Sequence, residues 1–250
     1  MRLPQVRINP TSRVAATLHV VYMVLLPLLV LSLVRSGFTG AALVVIVLSK
    51  WRMFAVKPRY WLANVRANSV DMIVGFSVVI FMSQSEVLMT SFIWSGIYSF
   101  WLIFIKPKST PLMISVQALI AQGFGLVAVF NNFSTWNPVY LVLFAWVICF
   151  CASKHLLMAF EEELNRPLAH LWAIFSAEMA LILSHWHIAY ANTIPQIALV
   201  LSVIGYVLAL GYYLHKTRGL SKSFRQQLLT FSMVIIAIII VFTEWQSETF

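Results

Sequence analysis

Charge is what this chain has least of. Asp, Glu, Lys and Arg make up 10% of its 250 residues, against about 25% in an ordinary soluble domain. Hydrophobic residues make up 61%, and a water-soluble fold of this length could not hide that much apolar surface. Glycine is also scarce, at 9 residues, when even soluble proteins average about 7%. Broken helices and close sliding interfaces depend on small residues, and membrane helices usually carry more glycine. The two cysteines, Cys149 and Cys151, stand two apart in an apolar run. On a helix they point to different faces, which excludes a natural disulfide or ligand pair and leaves two small apolar side chains.

Motifs that carry chemistry are missing too. There is no nucleophile elbow, no Ser/His/Asp set at a recognisable spacing, no HExxH and no pair of metal-binding carboxylates within an apolar run. No lysine lies in the middle of a late run to form a Schiff base. No loop is long enough to fold into a catalytic lid. The sequence therefore points to no catalytic residue, metal or cofactor, and an enzyme is the third choice among function classes.

What is present is a series of apolar stretches near the length that a hydrocarbon core of about 30 Å requires. They fall near residues 14–34, 37–56, 67–85, 87–105, 110–130, 138–153, 167–186, 194–214 and 227–243. The expected fold is all-α: one integral membrane domain over residues 1–250, a polytopic transmembrane bundle of about nine spans. Two spans are weak. The stretch after Gly37 is apolar only to Ser49 and reaches full length if Lys50 and Arg52 snorkel toward the headgroups. The third opens on Asn68, Ser69 and Asp71. The first run is too long for a signal-peptide core and should remain in the mature chain.

The net charge of +9 invites a nucleic-acid partner, but the basic residues sit in short segments between apolar runs, where they set topology. With nine spans and a cytoplasmic N-terminus, 16 of the 17 basic residues fall on the cytoplasmic side, and only Arg35 falls outside. This arrangement needs both weak spans and puts the C-terminus outside. The expected location is the plasma (cytoplasmic) membrane, with the lipid bilayer as the first partner and no nucleic acid. A weak repeat accompanies it. Asn9-Pro10, Lys57-Pro58, Lys106-Pro107 and Arg166-Pro167 each precede an outward-going span. This is either a duplicated hairpin, as in repeat-built transporters, or the ordinary preference for proline in a first turn and basic residues at the cytoplasmic edge.

Glu178 is the leading candidate for a site. It lies about 16 Å along a helix from Pro167, near the bilayer midplane, where a carboxylate costs about 2.5–3.5 kcal/mol. His170, Ile174, Glu178 and His185 fall on one stripe that could relay protons or hold a polar group. The alternative is a protonated Glu178 bonded to a neighbouring helix for packing specificity. His19, Asp71 and Gln117 lie in the cytoplasmic halves of other outward-going spans. They could join Glu178 in a polar pocket, or Asp71 could simply favour a helix start while His19 and Gln117 each make one interhelical bond. His185-Trp186-His187 cannot form a one-faced metal site, and Asn132-Phe133-Ser134 matches the glycosylation pattern in a loop that hugs the membrane. Glu161-Glu162-Glu163 reads as a solvated helix extension.

The segment from Lys50 to Asn68 mixes aromatic and basic residues in an interfacial pattern. Arg52, Arg59, Trp61 and Arg66 should rest on anionic headgroups or dock a cytoplasmic or membrane protein partner. The expected function is transport or handling of a neutral or lipid-like substrate without catalysis. The competing expectation is a structural or accessory subunit of a membrane complex that docks a cytoplasmic partner.

Overall fold

The computed structural model describes residues 13–133, 136–184, 188–190, 194–217 and 219–245. They form an all-helical bundle, as a chain in hydrocarbon must when every backbone polar group needs an internal partner. The helices are α1 (Arg13–Arg35), α2 (Thr39–Leu48), α3 (Trp61–Gln84), α4 (Leu88–Phe100), α5 (Pro111–Asn132), α6 (Pro138–Ala159), α7 (Asn165–Ser184), α8 (Gln196–Thr217) and α9 (Lys222–Val241). Among the described residues, seven helical segments between Pro58 and Val241 are long and apolar enough to cross a membrane, while Val20–Arg35 and Thr39–Leu48 are shorter apolar helices.

Local chemistry sets the helix ends. Pro111 and Pro138 occupy first-turn positions, which need no backbone N–H. Thr110 Oγ1 accepts from Met113 N at 3.4 Å, and Asn137 Oδ1 accepts from Val139 N at 3.0 Å. Ser221 caps α9 in the same way, accepting from Phe224 N at 3.2 Å. Gly37 makes the turn between α1 and α2 with φ of +81°, a conformation that costs glycine little.

Two larger hydrophobic cores divide the bundle, with a smaller third formed by Ala118, Ala152, Leu156, Leu157, Ala169 and Ala209. One gathers Val30, Ile46, Val74, Val78, Met82 and Tyr98 from α1 to α4. The other gathers Leu126, Leu141, Ala145, Ala180 and Leu201 from α5 to α8. The α3–α5 contact joins them, and α9 packs on α8 at the edge. The α3–α5 seam is tight. A Cβ at Gly125 would sit 2.8 Å from Ile73 of α3 and 3.0 Å from Ile148 of α6.

Polar contacts show how the turns group. At one end, Arg35 donates to Ser85 O at 3.0 Å and to Glu86 O at 3.4 Å, and Gln84 Nε2 donates to Asn132 Oδ1 at 3.5 Å. The turns after α1, α3 and α5 therefore share one end of the bundle. Three short strands, β1 (Ile188–Tyr190), β2 (Ile194–Pro195) and β3 (Glu244–Trp245), form an antiparallel sheet in the order β2-β1-β3. The pairing of Ala189 with Glu244 brings the segment after α7 to the segment after α9. That is the relation expected if α8 and α9 run as an antiparallel hairpin.

Three expected features differ. The second helix stops at Leu48 and gives way to short 3-10 turns at Trp51–Met53 and Pro58–Tyr60, with Ser49 Oγ turned back onto Ile46 O at 2.6 Å. Lys50 does not snorkel, because a carboxylate lies within its reach inside the bundle. The third helix begins at Trp61, so Asp71 lies about 15 Å into it, too far for the dipole at the helix start. The acidic cluster does not extend α6. Glu161 adopts a φ of 52°, which ends the helix, and Glu162 accepts a hydrogen bond from Tyr212 Oη and pairs with Lys216 Nζ at 2.9 Å. The Tyr212 hydroxyl, helped by Lys216, holds the Glu162 carboxyl below the usual glutamate range.

Gly125→Val should destabilise the bundle by about 1–3 kcal/mol through overpacking. Gly96→Ala, where nothing lies within 4 Å of the added Cβ, should be close to neutral. Unfolding midpoints in mixed micelles check the difference, and equal midpoints would contradict the tight α3–α5 seam.

Candidate functional site

The densest polar cluster forms where α2, α3 and the end of α4 meet. Asp71 of α3 is 6% exposed. Its carboxylate pairs with Lys50, just beyond α2, and with Lys106 Nζ at 2.7 Å. Trp101 Nε1 donates to Asp71 Oδ1 at 2.8 Å. Lys50 is 8% exposed, whereas Lys106 is only half-buried. Two ammonium groups thus face one carboxylate, so the cluster carries an excess of positive charge when all three are ionised. Beside it stands Tyr98, fully buried, whose hydroxyl has no hydrogen-bond partner among the described residues. A Cβ at Gly75 would be 3.0 Å from that hydroxyl oxygen, so glycine is what lets α3 admit the ring.

The backbone beneath the cluster is itself unusual. Trp101–Ile105 continues α4 as a π-helical turn, closed by Lys106 N donating to Trp101 O at 2.9 Å. Such turns arise where a helix is bent to place particular side chains. Here the turn delivers the Trp101 indole and the Lys106 ammonium to one carboxylate. Gln117 of α5 secures the other side, its Nε2 donating to Ile105 O at 2.8 Å and Lys108 O at 2.9 Å. Those carbonyls orient the amide, so its Oε1 accepts from His155 Nε2 at 3.1 Å, and His155 must carry its proton on that nitrogen. Ten residues of α3 precede Asp71 and six of α5 precede Gln117, so both helices run past the level of the cluster.

A groove of about 540 Å³ lies next to this cluster, between α1 and α2. Tyr22, Leu25, Leu29, Val45, Leu48 and Ser49 are among the residues that line it. Its wall is largely apolar, and the lining includes Ser49, the residue before Lys50. The exposure of Tyr22, Leu25 and Leu29 shows that it opens sideways, toward whatever surrounds the bundle.

No protein-family model, curated protein or solved structure matches the chain. The reading of the site rests on its residues.

The candidate residues named from sequence separate into groups. Asp71 and Gln117 are brought together through the Lys106 segment. Glu178 is not among them. It lies on the exposed face of α7 and has no partner among the described residues. His170, also exposed, stacks against Phe150 and Trp146 of α6, with ring centroids 4.5 and 5.6 Å away. His19 lies in α1, but its side chain, like that of Arg52, lies outside the described residues, as does His185 entirely. Arg59 and Arg66 are exposed, with the Arg59 guanidinium 4.6 Å from the Tyr60 ring centroid. Trp61 is exposed too, though its Nε1 donates to Val56 O at 3.0 Å and its ring meets Phe54 edge-on. Among the described residues, no three His, Cys, Asp or Glu side chains gather as a metal would need.

Sequence reasoning missed Lys50 and Lys106 as partners of Asp71, because both read as topology signals. It also missed Gln122. This buried amide donates to Leu201 O at 2.9 Å and accepts from Trp172 Nε1 at 3.0 Å, joining α5, α7 and α8. A glutamine midway along an apolar run was the available signal.

The cluster makes a testable demand. Asp71→Leu strands the buried Lys50 charge and should cost about 3–5 kcal/mol. The double variant Lys50→Met/Asp71→Leu should recover much of that loss. Unfolding midpoints of the three proteins check it, and a double variant no better than Asp71→Leu would show that Lys50 does not depend on Asp71.

Proposed function

We propose that this protein handles or transports a lipid-like substrate, taken from the bilayer through the groove between α1 and α2, without covalent catalysis. The groove is the observation that carries this reading. Its lining is largely apolar, it lies between the two shorter apolar helices and it opens sideways, so an acyl or isoprenoid chain can enter it from the hydrocarbon. Ser49 belongs to its lining and is followed in the chain by Lys50 of the Asp71 cluster, so the polar head of an amphiphile would be directed toward those ammonium groups. The scarcity of other buried charge argues against a substrate that is itself a small ion.

Around this core we place nine spans in the plasma membrane, with the N-terminus cytoplasmic and the C-terminus external. The placement of 16 of the 17 basic residues supports it. The grouping of the turns after α1, α3 and α5 at one end supports it as well.

A second reading has its own observation. Across the α2–α3 connection and the first turns of α3, Trp51, Tyr60, Trp61 and Leu62 are exposed, as are Arg59 and Arg66. This surface suits an accessory subunit whose cytoplasmic partner docks there, and it equally suits anionic headgroups.

Two experiments test these proposals. Protein purified in mild detergent should retain a defined amphiphile, identified by mass spectrometry of the solvent extract. Val45→Trp, which fills the groove, should reduce its amount by roughly tenfold, the effect of about 1.4 kcal/mol. An unchanged lipid complement in a folded Val45→Trp protein would overturn the groove as the binding site. For topology, reporter fusions should read cytoplasmic at Arg59, Lys108, Glu162 and Lys222, and external at Glu86, Asn132 and Thr193. A cytoplasmic C-terminus would overturn the nine-span arrangement.

A further inference from the structure

The two faces of α7 are built differently. Toward α6 it presents Ala169, Ala173, Ser176 and Ala180, all fully buried. This is a small-residue face that lets the two helices approach closely. The opposite face carries Leu168, Leu171, Phe175, Glu178 and Ile182, all exposed. Their spacing alternates four and three, the pattern of a helix–helix seam. Exposed leucines need no explanation in a bilayer, but Glu178 does. It stands six residues, about 9 Å, before the end of α7 at Ser184. A glutamate that deep, facing hydrocarbon with no partner among the described residues, is an unfavourable arrangement.

We infer that this face of α7 is covered by the same face of a second copy of the chain, with the two Glu178 side chains meeting at a twofold axis along the membrane normal. Three considerations select a second copy. Two chains inserted in the same orientation place Glu178 at the same depth, so the axis brings each residue to its own counterpart. A protonated carboxyl offers one donor and acceptor oxygens, so two of them satisfy each other without any further group. This chain offers Glu178 no cation at that depth, since its Lys and Arg residues lie at the ends of the apolar runs. The seam also matches the best-attested role of a lone polar residue in a heptad pattern, which is to set register and partner number. The bulky Leu171 and Phe175 on one side and Ile182 on the other then close the contact around the carboxyl pair.

The test is disulfide cross-linking of the full chain in native membranes, in a Cys149→Ala/Cys151→Ala background. Ile174→Cys and Leu181→Cys, which flank Glu178 on the exposed side, should each give a product of twice the chain's mass. Leu143→Cys on α6 and Ile235→Cys on α9, exposed elsewhere, should give at most one tenth as much. Glu178→Gln should keep the cross-link, because an amide is also self-complementary. Glu178→Leu should reduce it about tenfold while helicity and monodispersity stay unchanged. Equal cross-linking at all four positions would overturn the proposal. So would no dimer from the α7 cysteines, a product with the mass of a different protein, or a Glu178→Leu variant that folds and cross-links as wild type.

Discussion

A buried carboxylate with its cations organises one half of this bundle. Asp71 sits where water cannot help it, and a lone charge there would cost several kcal/mol. Its partners come from chain segments far apart in sequence, Lys50 after α2 and Lys106 after α4. To reach it, α2 ends early and α4 widens into a π-helical turn. Gln117 then fixes the carbonyls around Lys106 to α5. One electrostatic requirement thus accounts for a short helix, an irregular helix end and the coupling of the two cores.

Where charge is absent, small side chains decide. Gly125 lets Ile73 and Ile148 approach α5, and the Ala and Ser residues of α7 let it lie close against α6. Gln122 supplies the second half with its own polar tie, spanning three helices. The groove between α1 and α2 falls outside both arrangements. It is walled largely by leucines, and its lining includes Ser49, which precedes Lys50, the only buried lysine among the described residues. An amphiphile lying there would put its chain among leucines and its head near ammonium groups, which is the pairing that its own chemistry favours.

Much of the helical layout was legible because hydrocarbon imposes length and apolarity on each span. Helix ends were less so. The third helix starts at Trp61 and not at residue 67, since residues between the hydrocarbon and water can continue a helix without being apolar. Lys50 and Lys106 carried two messages in one letter, topology signal and ion-pair partner, and periodicity cannot separate them. Asp71 and Gln117 were legible as polar residues in apolar runs, but their meeting at Lys106 depends on which helices are neighbours. Glu178 was legible as an anomaly. That α7 turns it away from α6 follows from the small residues on its other face, a pattern present in the sequence at positions 169, 173, 176 and 180.

We propose that the α1–α2 groove holds an amphiphile with its head toward Lys50. A cryo-EM map of the protein in lipid nanodiscs tests this most directly. Elongated density is expected along Leu25, Leu29 and Val45, ending in a polar head within reach of Ser49 or the Lys50 ammonium. A groove closed by contact of α1 with α2, or one whose density carries its head at the Arg35 end, would contradict it.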